Sequence, residues 1–192
     1  MGMQKHIGKI ESLFKKSPIV DFCSIEKIVG KKDYAKLLVH NLISKKRIFK
    51  IAKGKYSTSN NLEFSVFAFK PSYLGLQDAL SFYGLWEQET IPVIITSRNV
   101  RQGIRKIMGV NVFVRRINRK YLFGIEYKKQ NDFYLPYSDV EKTFIDMIYF
   151  REKMNESAFK EFKKIIDKKK LKTYLQNYPR RFEEKVMRIF GK

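Results

Sequence analysis

Lys31, Lys32, Lys36, Val39, His40, Arg47, Lys50, Lys53 and Lys55 fall within one stretch of 25 residues. Seven of them are cations, whose ammonium and guanidinium groups form charge-assisted hydrogen bonds with phosphate oxygens. Lysine and histidine can also reach acceptors on base edges, and an apolar tip such as Val39 can touch a thymine methyl. The chemistry this set implies is the gripping and reading of a polyanion, with no bond made or broken.

Side chains of this kind are useful only if an ordered frame aims them, and the letters around them supply one. On a 100° wheel, Lys32 to Ser44 puts Tyr34, Leu37, Leu38, Asn41 and Leu42 on one side. Lys32, Lys36, Val39, His40 and Ile43 fall on the other, and Ile43 has packing under the following hairpin as a second role. A shorter helix precedes, with Ser24 as its expected N-cap, Ile25, Ile28 and Val29 as its apolar face and Gly30 as its C-cap. After the second helix, Arg47-Ile48-Phe49-Lys50-Ile51 alternates into Ala52-Lys53-Gly54-Lys55 and then Tyr56-Ser57-Thr58, which reads as strand, turn, strand. Helix, turn, helix and basic hairpin together predict a winged helix-turn-helix over residues 1–60. Such a frame presents one helix to a DNA major groove and a cationic wing to the phosphates beside it. Upstream, Ile7, Ile10, Leu13 and Phe14 predict a helix over Gln4 to Lys16 that Ser17-Pro18 stops, and Ile19-Val20 has the makings of a short strand beside the wing.

The polar run Ser57 to Asn61 reads as a linker, so a second unit is expected over 61–192. Its predicted class is α+β. Short helices are expected at Leu62 to Phe69 and Leu76 to Tyr83. Strands are expected at Pro92 to Thr96, Val112 to Arg116, Tyr121 to Tyr127 and Phe133 to Leu135, forming a small, mostly antiparallel sheet. Ser138 is the expected N-cap of a helix burying Val140, Phe144, Ile145, Ile148 and Tyr149. Ser157 to Phe190 is amphipathic and helical, broken near Tyr178-Pro179.

Charge separates these parts. The chain of 192 residues carries a formal +21. Residues 1–60 hold 14 Lys/Arg against 4 Asp/Glu, residues 61–150 hold 12 against 9, and residues 151–192 hold 14 against 6. Both ends are thus strongly cationic, which favours polyanionic partners. For the run Lys163 to Lys172 the plainer reading is a solvated helix face, with Ile165, Ile166, Leu171 and Tyr174 turned inward; a second polyanion surface is the other.

Other chemistry finds little support. One cysteine, Cys23, excludes a disulfide framework and is expected in the core, and His6 and His40 with that cysteine do not have zinc-site spacing. There is no phosphate loop of the Walker type, no apolar run long enough for a bilayer, and no secretory leader pattern at the start. The expectation is a cytoplasmic protein with no cofactor, no metal, no membrane association and no enzymatic activity. A Mg²⁺-dependent nuclease built on Glu126 and Lys128 is the enzymatic alternative, but no acid stands between Glu89 and Glu126 to complete its site. An effector-sensing regulator is the remaining one.

Three segments, in this order and spacing, bear a resemblance to a known family. They are Ile51-Ala-Lys-Gly-Lys-Tyr56; Ser72 to Leu85 with Tyr73, Ala79, Leu80, Gly84 and Leu85; and Tyr137 to Tyr149 with Glu141, Lys142 and Asp146. Over residues 20–150 the chain resembles the AbiEi-type antitoxins, transcriptional regulators of type IV toxin–antitoxin systems. It departs from their pattern at Gly75 and Asp78, where serine is usual, at Val140, where proline is usual, and at Thr143-Phe144, where alanine-leucine is usual. The resemblance implies an N-terminal winged helix that binds inverted repeats in its own promoter. It also implies a C-terminal domain that counters a nucleotidyltransferase-like toxin. Read physically, the same residues need only pack: Gly54 permits a turn with positive φ, and Asp146 can pair with Lys142 at i,i+4.

Overall fold

The computed structural model describes residues 2–86, 90–130 and 133–191. The chain is α+β. Helices α1 (Gly2–Lys16), α2 (Phe22–Val29) and α3 (Lys32–Ser44) pack on a three-stranded antiparallel sheet of β1 (Val20–Asp21), β2 (Phe49–Ala52) and β3 (Lys55–Ser57). In that sheet β3 lies centrally, with Val20 opposite Tyr56 and Phe49 opposite Ser57. Ile10, Phe14, Ile25, Ala35, Leu38, Leu42, Ile48 and Tyr56 fill the space between helices and strands. The hairpin turns at Gly54, whose φ of +70° lies in the region glycine enters without steric cost.

The run Ser57 to Asn61 is fixed by successive side-chain bonds. Ser59 N–H donates to Ser57 Oγ at 3.1 Å, Asn61 N–H to Ser59 Oγ at 3.0 Å, and Glu63 N–H to Asn61 Oδ1 at 2.9 Å. Such turns hold a polar segment in one path. Ile51, from the hairpin, is 3% exposed and packs with Phe64, Phe67, Ile107 and their neighbours rather than with the helices of its own segment.

Beyond the linker, a 3₁₀ helix (Leu62–Phe69) leads to β4 (Ser72–Leu74), α4 (Gln77–Phe82), β5 (Val93–Thr96), β6 (Gly103–Ile107) and β7 (Val110–Arg116). A 3₁₀ turn (Arg119–Tyr121), β8 (Ile125–Gln130), β9 (Phe133–Ser138) and α5 (Val140–Tyr149) follow. The chain finishes with α6 (Glu156–Ile165), α7 (Lys168–Leu175) and α8 (Arg180–Gly191). The six strands form one sheet in the order β6-β7-β5-β4-β9-β8. It is mixed: β6/β7, β4/β5 and β8/β9 are antiparallel, while β5/β7 and β4/β9 are parallel. Three of the five strand pairs are antiparallel, in keeping with the mostly antiparallel expectation, and the two parallel pairs join strands that are not consecutive in the chain.

Side chains alternate across this sheet. Tyr73, Val93 and Ile95 face α5 to α8, with Phe144, Phe162, Leu171, Val186 and Phe190. Leu74, Ile94, Val114 and Tyr137 face the 3₁₀ helix and Ile51. The central strand β5 is buried throughout, so it reads as an uninterrupted Val-Ile-Ile-Thr rather than an alternating pattern.

Candidate nucleic-acid interface

The surface of α3 follows from its buried stripe. Ala35, Leu38, Val39 and Leu42 are its buried residues, at i, i+3, i+4 and i+7. Val39 is 4% exposed and belongs to the core, while Leu37 is 53% exposed. This reverses the two positions expected from the wheel. The buried stripe is centred on the Ala35 and Leu42 side of the helix rather than on the Tyr34 and Asn41 side. Lys32, Lys36, Leu37 and His40 therefore form the outward side. Lys31 lies at the N-cap position with extended backbone.

Lys50 and Lys53 are exposed on the β2–β3 hairpin, and Lys55 is half-buried. Three cations of the set are held by carboxylates: Lys36 by Asp33 at 3.0 Å, Lys55 by Asp21 at 2.5 Å, and Arg47 by Glu11. At least one partner in each pair is widely exposed, so each contributes about 0–1 kcal/mol and yields easily to a competing anion. Among the described residues, Lys31, Lys32, Lys50 and Lys53 have no carboxylate in ion-pair reach. The structure thus exposes seven of the nine expected side chains, leaves Lys55 half-buried and withdraws Val39 into the core. Two neighbouring expectations also change. Cys23 is exposed, not buried. Asp21, not Ser24, occupies the N-cap of α2, where it makes no capping bond because its carboxylate meets Lys55.

A second polar cluster, which sequence reasoning reached only in part, lies where α5 meets β4, β8 and α7. Lys142 and Asp146, both 0% exposed, form an ion pair, and Tyr73 Oη donates to Asp146 Oδ2 at 2.6 Å. Asp139, rather than Ser138, caps α5 by accepting from Lys142 N–H at 2.8 Å. Tyr174 Oη donates to Asp139 at 2.6 Å, and Lys170 Nζ reaches Glu141 at 2.8 Å and Asp139 at 3.2 Å. Burial pushes the Asp146 carboxyl up and the Lys142 ammonium down, each opposed by the other's charge. Burial also works against charge on Lys170, but its bonds to Glu141 and Asp139 outweigh that and hold it protonated. Gly124 makes room for the cluster: with φ +66°, a Cβ there would stand 2.8 Å from Lys142 Cβ and 2.9 Å from Tyr174 Cε2.

The i,i+4 pairing of Lys142 with Asp146 was legible in the spacing. The reach of Lys170 from a basic run to Asp139 and Glu141 was not. That run is divided between α6 and α7. Ile166 and Leu171 face inward as expected, but Ile165 is 48% exposed, because α6 ends at Ile165 and the chain turns away from its face.

The two residues of the nuclease alternative lie on β8. Glu126 pairs with Lys128 and stands 3.9 Å from Lys170 Nζ. Among the described residues no group of three or more His, Cys, Asp or Glu is disposed to hold a metal. No described helix is long and apolar enough to cross a membrane.

No family model and no curated protein matches the sequence. Among solved structures, the chain is similar to the RV2827C protein from Mycobacterium tuberculosis, with a TM-score of 0.62 at 9% identity, over 98% of this chain and 78% of that one. At that identity the likeness speaks for the fold alone.

Proposed function

We propose that the chain is a sequence-specific, double-stranded DNA-binding transcriptional regulator whose first 60 residues act as a winged helix. In this reading α3 enters the major groove, and the β2–β3 hairpin is the wing against the phosphates. The observation that carries it is the pairing of an outward face of Lys32, Lys36, Leu37 and His40 with a hairpin bearing Lys50 and Lys53. Leu37 takes the thymine-contacting part first expected of Val39. The reading extends to repression of its own promoter and to neutralising a nucleotidyltransferase-like toxin, as the resemblance to AbiEi-type antitoxins implies.

Tyr73, Glu141, Lys142 and Asp146, which carry that resemblance in the C-terminal part, are buried in one hydrogen-bonded cluster. Their part in the reading is to hold the C-terminal fold, so a toxin would meet other side chains. No catalytic step is proposed. The test is selection from a pool of random-sequence duplexes by the full chain, followed by sequencing. Enrichment of an inverted repeat is expected; a bound pool as random as the input would remove sequence-specific regulation.

A further inference from the structure

The near balance of charge over residues 61–150 conceals an uneven surface. Asp78, Asp139, Glu141 and Asp146 are all buried, and all four bond to backbone or side-chain donors inside the fold. Of the cations of the same segment only Lys142 is buried. Three of the others meet Lys53 at one place: a cleft of about 660 Å³ between the hairpin and the sheet edge, bordered by Lys53 from the turn and by Arg101, Arg105 and Lys106 on and before β6. No carboxylate lines it.

The position of the cleft is set by packing. Ile51 and Ala52 of the hairpin join the core formed by Phe69 and Ile107, so hairpin and β6 hold a fixed mutual orientation. β6 is the outermost strand, and its free edge faces away from β7. Arg105 is itself pinned, donating to the Arg101 carbonyl at 2.7 and 3.2 Å. Arg101 and Lys106 are exposed, and among the described residues their side chains make no hydrogen bond or ion pair.

We infer that this cleft is a second phosphate-binding surface, along which the backbone of a DNA duplex runs on from the wing to β6. The inference rests on the DNA-binding reading above and extends it to residues outside the winged-helix segment. Charge complementarity and continuity argue for DNA as the occupant. Lys53 belongs to both surfaces, and a groove with four cations and no acid is suited to a line of phosphates. An extended polyanion that touched the wing alone would leave these charges repelling one another in the free protein without relief in the complex.

The test uses the full chain and random-sequence duplexes several helical turns long, with affinity followed over a range of salt concentrations. Each phosphate contact contributes about 0.9 to the slope of log affinity against log salt. Arg101→Ala/Lys106→Ala is expected to reduce the slope by about two such contacts. Lys32→Ala/Lys50→Ala serves as the measure of the winged-helix surface. If that variant lowers the slope while Arg101→Ala/Lys106→Ala keeps the wild-type value, the second surface is overturned and the DNA-binding reading survives. If the wild-type chain binds no duplex, both fall. Arg101→Gln/Lys106→Gln repeats the measurement with less change in side-chain volume, and an unchanged melting temperature ties any loss to charge.

Discussion

At the scale of single residues, α3 separates reading from packing. Lys36→Ala or His40→Ala is expected to relax preference at particular base pairs of a selected duplex, by roughly 1–3 kcal/mol where a base contact is lost. Val39→Ala is expected to leave the preference profile intact and to lower folding stability by about 1–3 kcal/mol, because a buried side chain is cut back. Sequencing of bound pools and denaturant melts distinguish the two. Asp78 offers a test by pH. Burial first, and then the charge of Glu63, push its carboxyl up to about 7, against the Val93 N–H that favours the ionised form. The folded chain therefore holds this proton over a range in which the unfolded chain has released it. Stability from Asp78 is fully present below the ordinary value of 3.8 and is lost as pH rises through about 7. Asp78→Asn is expected to flatten that decline when urea melts at about pH 5 and about pH 8 are compared. A decline equally steep in the variant would assign it to other groups. Part of this was hidden in the sequence: successive residues of a helix differ by about 100°, and a rotation of roughly 80° of the buried stripe exchanges Val39 for Leu37.

At the scale of elements, patterns that depend on near neighbours were the legible ones. The hairpin around Gly54, the helix over Val140–Tyr149 and the buried strand Val93–Thr96 each carry their signal within a few residues. β6 escaped notice because Gly-Ile-Arg-Lys-Ile lies at an edge and mixes charge with exposed isoleucine. β4 escaped because its three residues follow a proline directly. The cluster around Asp146 depends on Tyr73, 73 positions away, and no local pattern reports such a distance. The exposure of most side chains of the candidate surface was legible because a helix face and a hairpin are both local objects. Its functional division has its own expectation. Lys50→Ala and Lys53→Ala in the hairpin should weaken binding to all duplexes alike and lower the salt slope by about one unit per lost contact. A changed base preference in either variant would move recognition from α3 to the hairpin.

At the scale of the whole molecule, the two proposed units are joined by more than their linker. Ile51 lies in the core of the second, so a piece ending near residue 60 exposes it and is expected to be less stable than the same segment in the full chain. That piece should nevertheless keep some DNA binding while folded, and 61–192 should lack sequence preference in the same binding selection; full preference in 61–192 would remove α3 as the reader. The basic C-terminal helices make the location of the DNA surface the central question, since Lys163, Lys164, Lys169 and Lys172 also offer charge to a polyanion. Chemical modification of lysines in the full chain, with and without a selected duplex and followed by peptide mass spectrometry, addresses it directly. The predicted result is that the duplex shields Lys32, Lys36, Lys50 and Lys53 and leaves Lys163, Lys164, Lys169 and Lys172 as reactive as in the free protein. Shielding of the C-terminal lysines, with Lys32, Lys36, Lys50 and Lys53 unprotected, would contradict it.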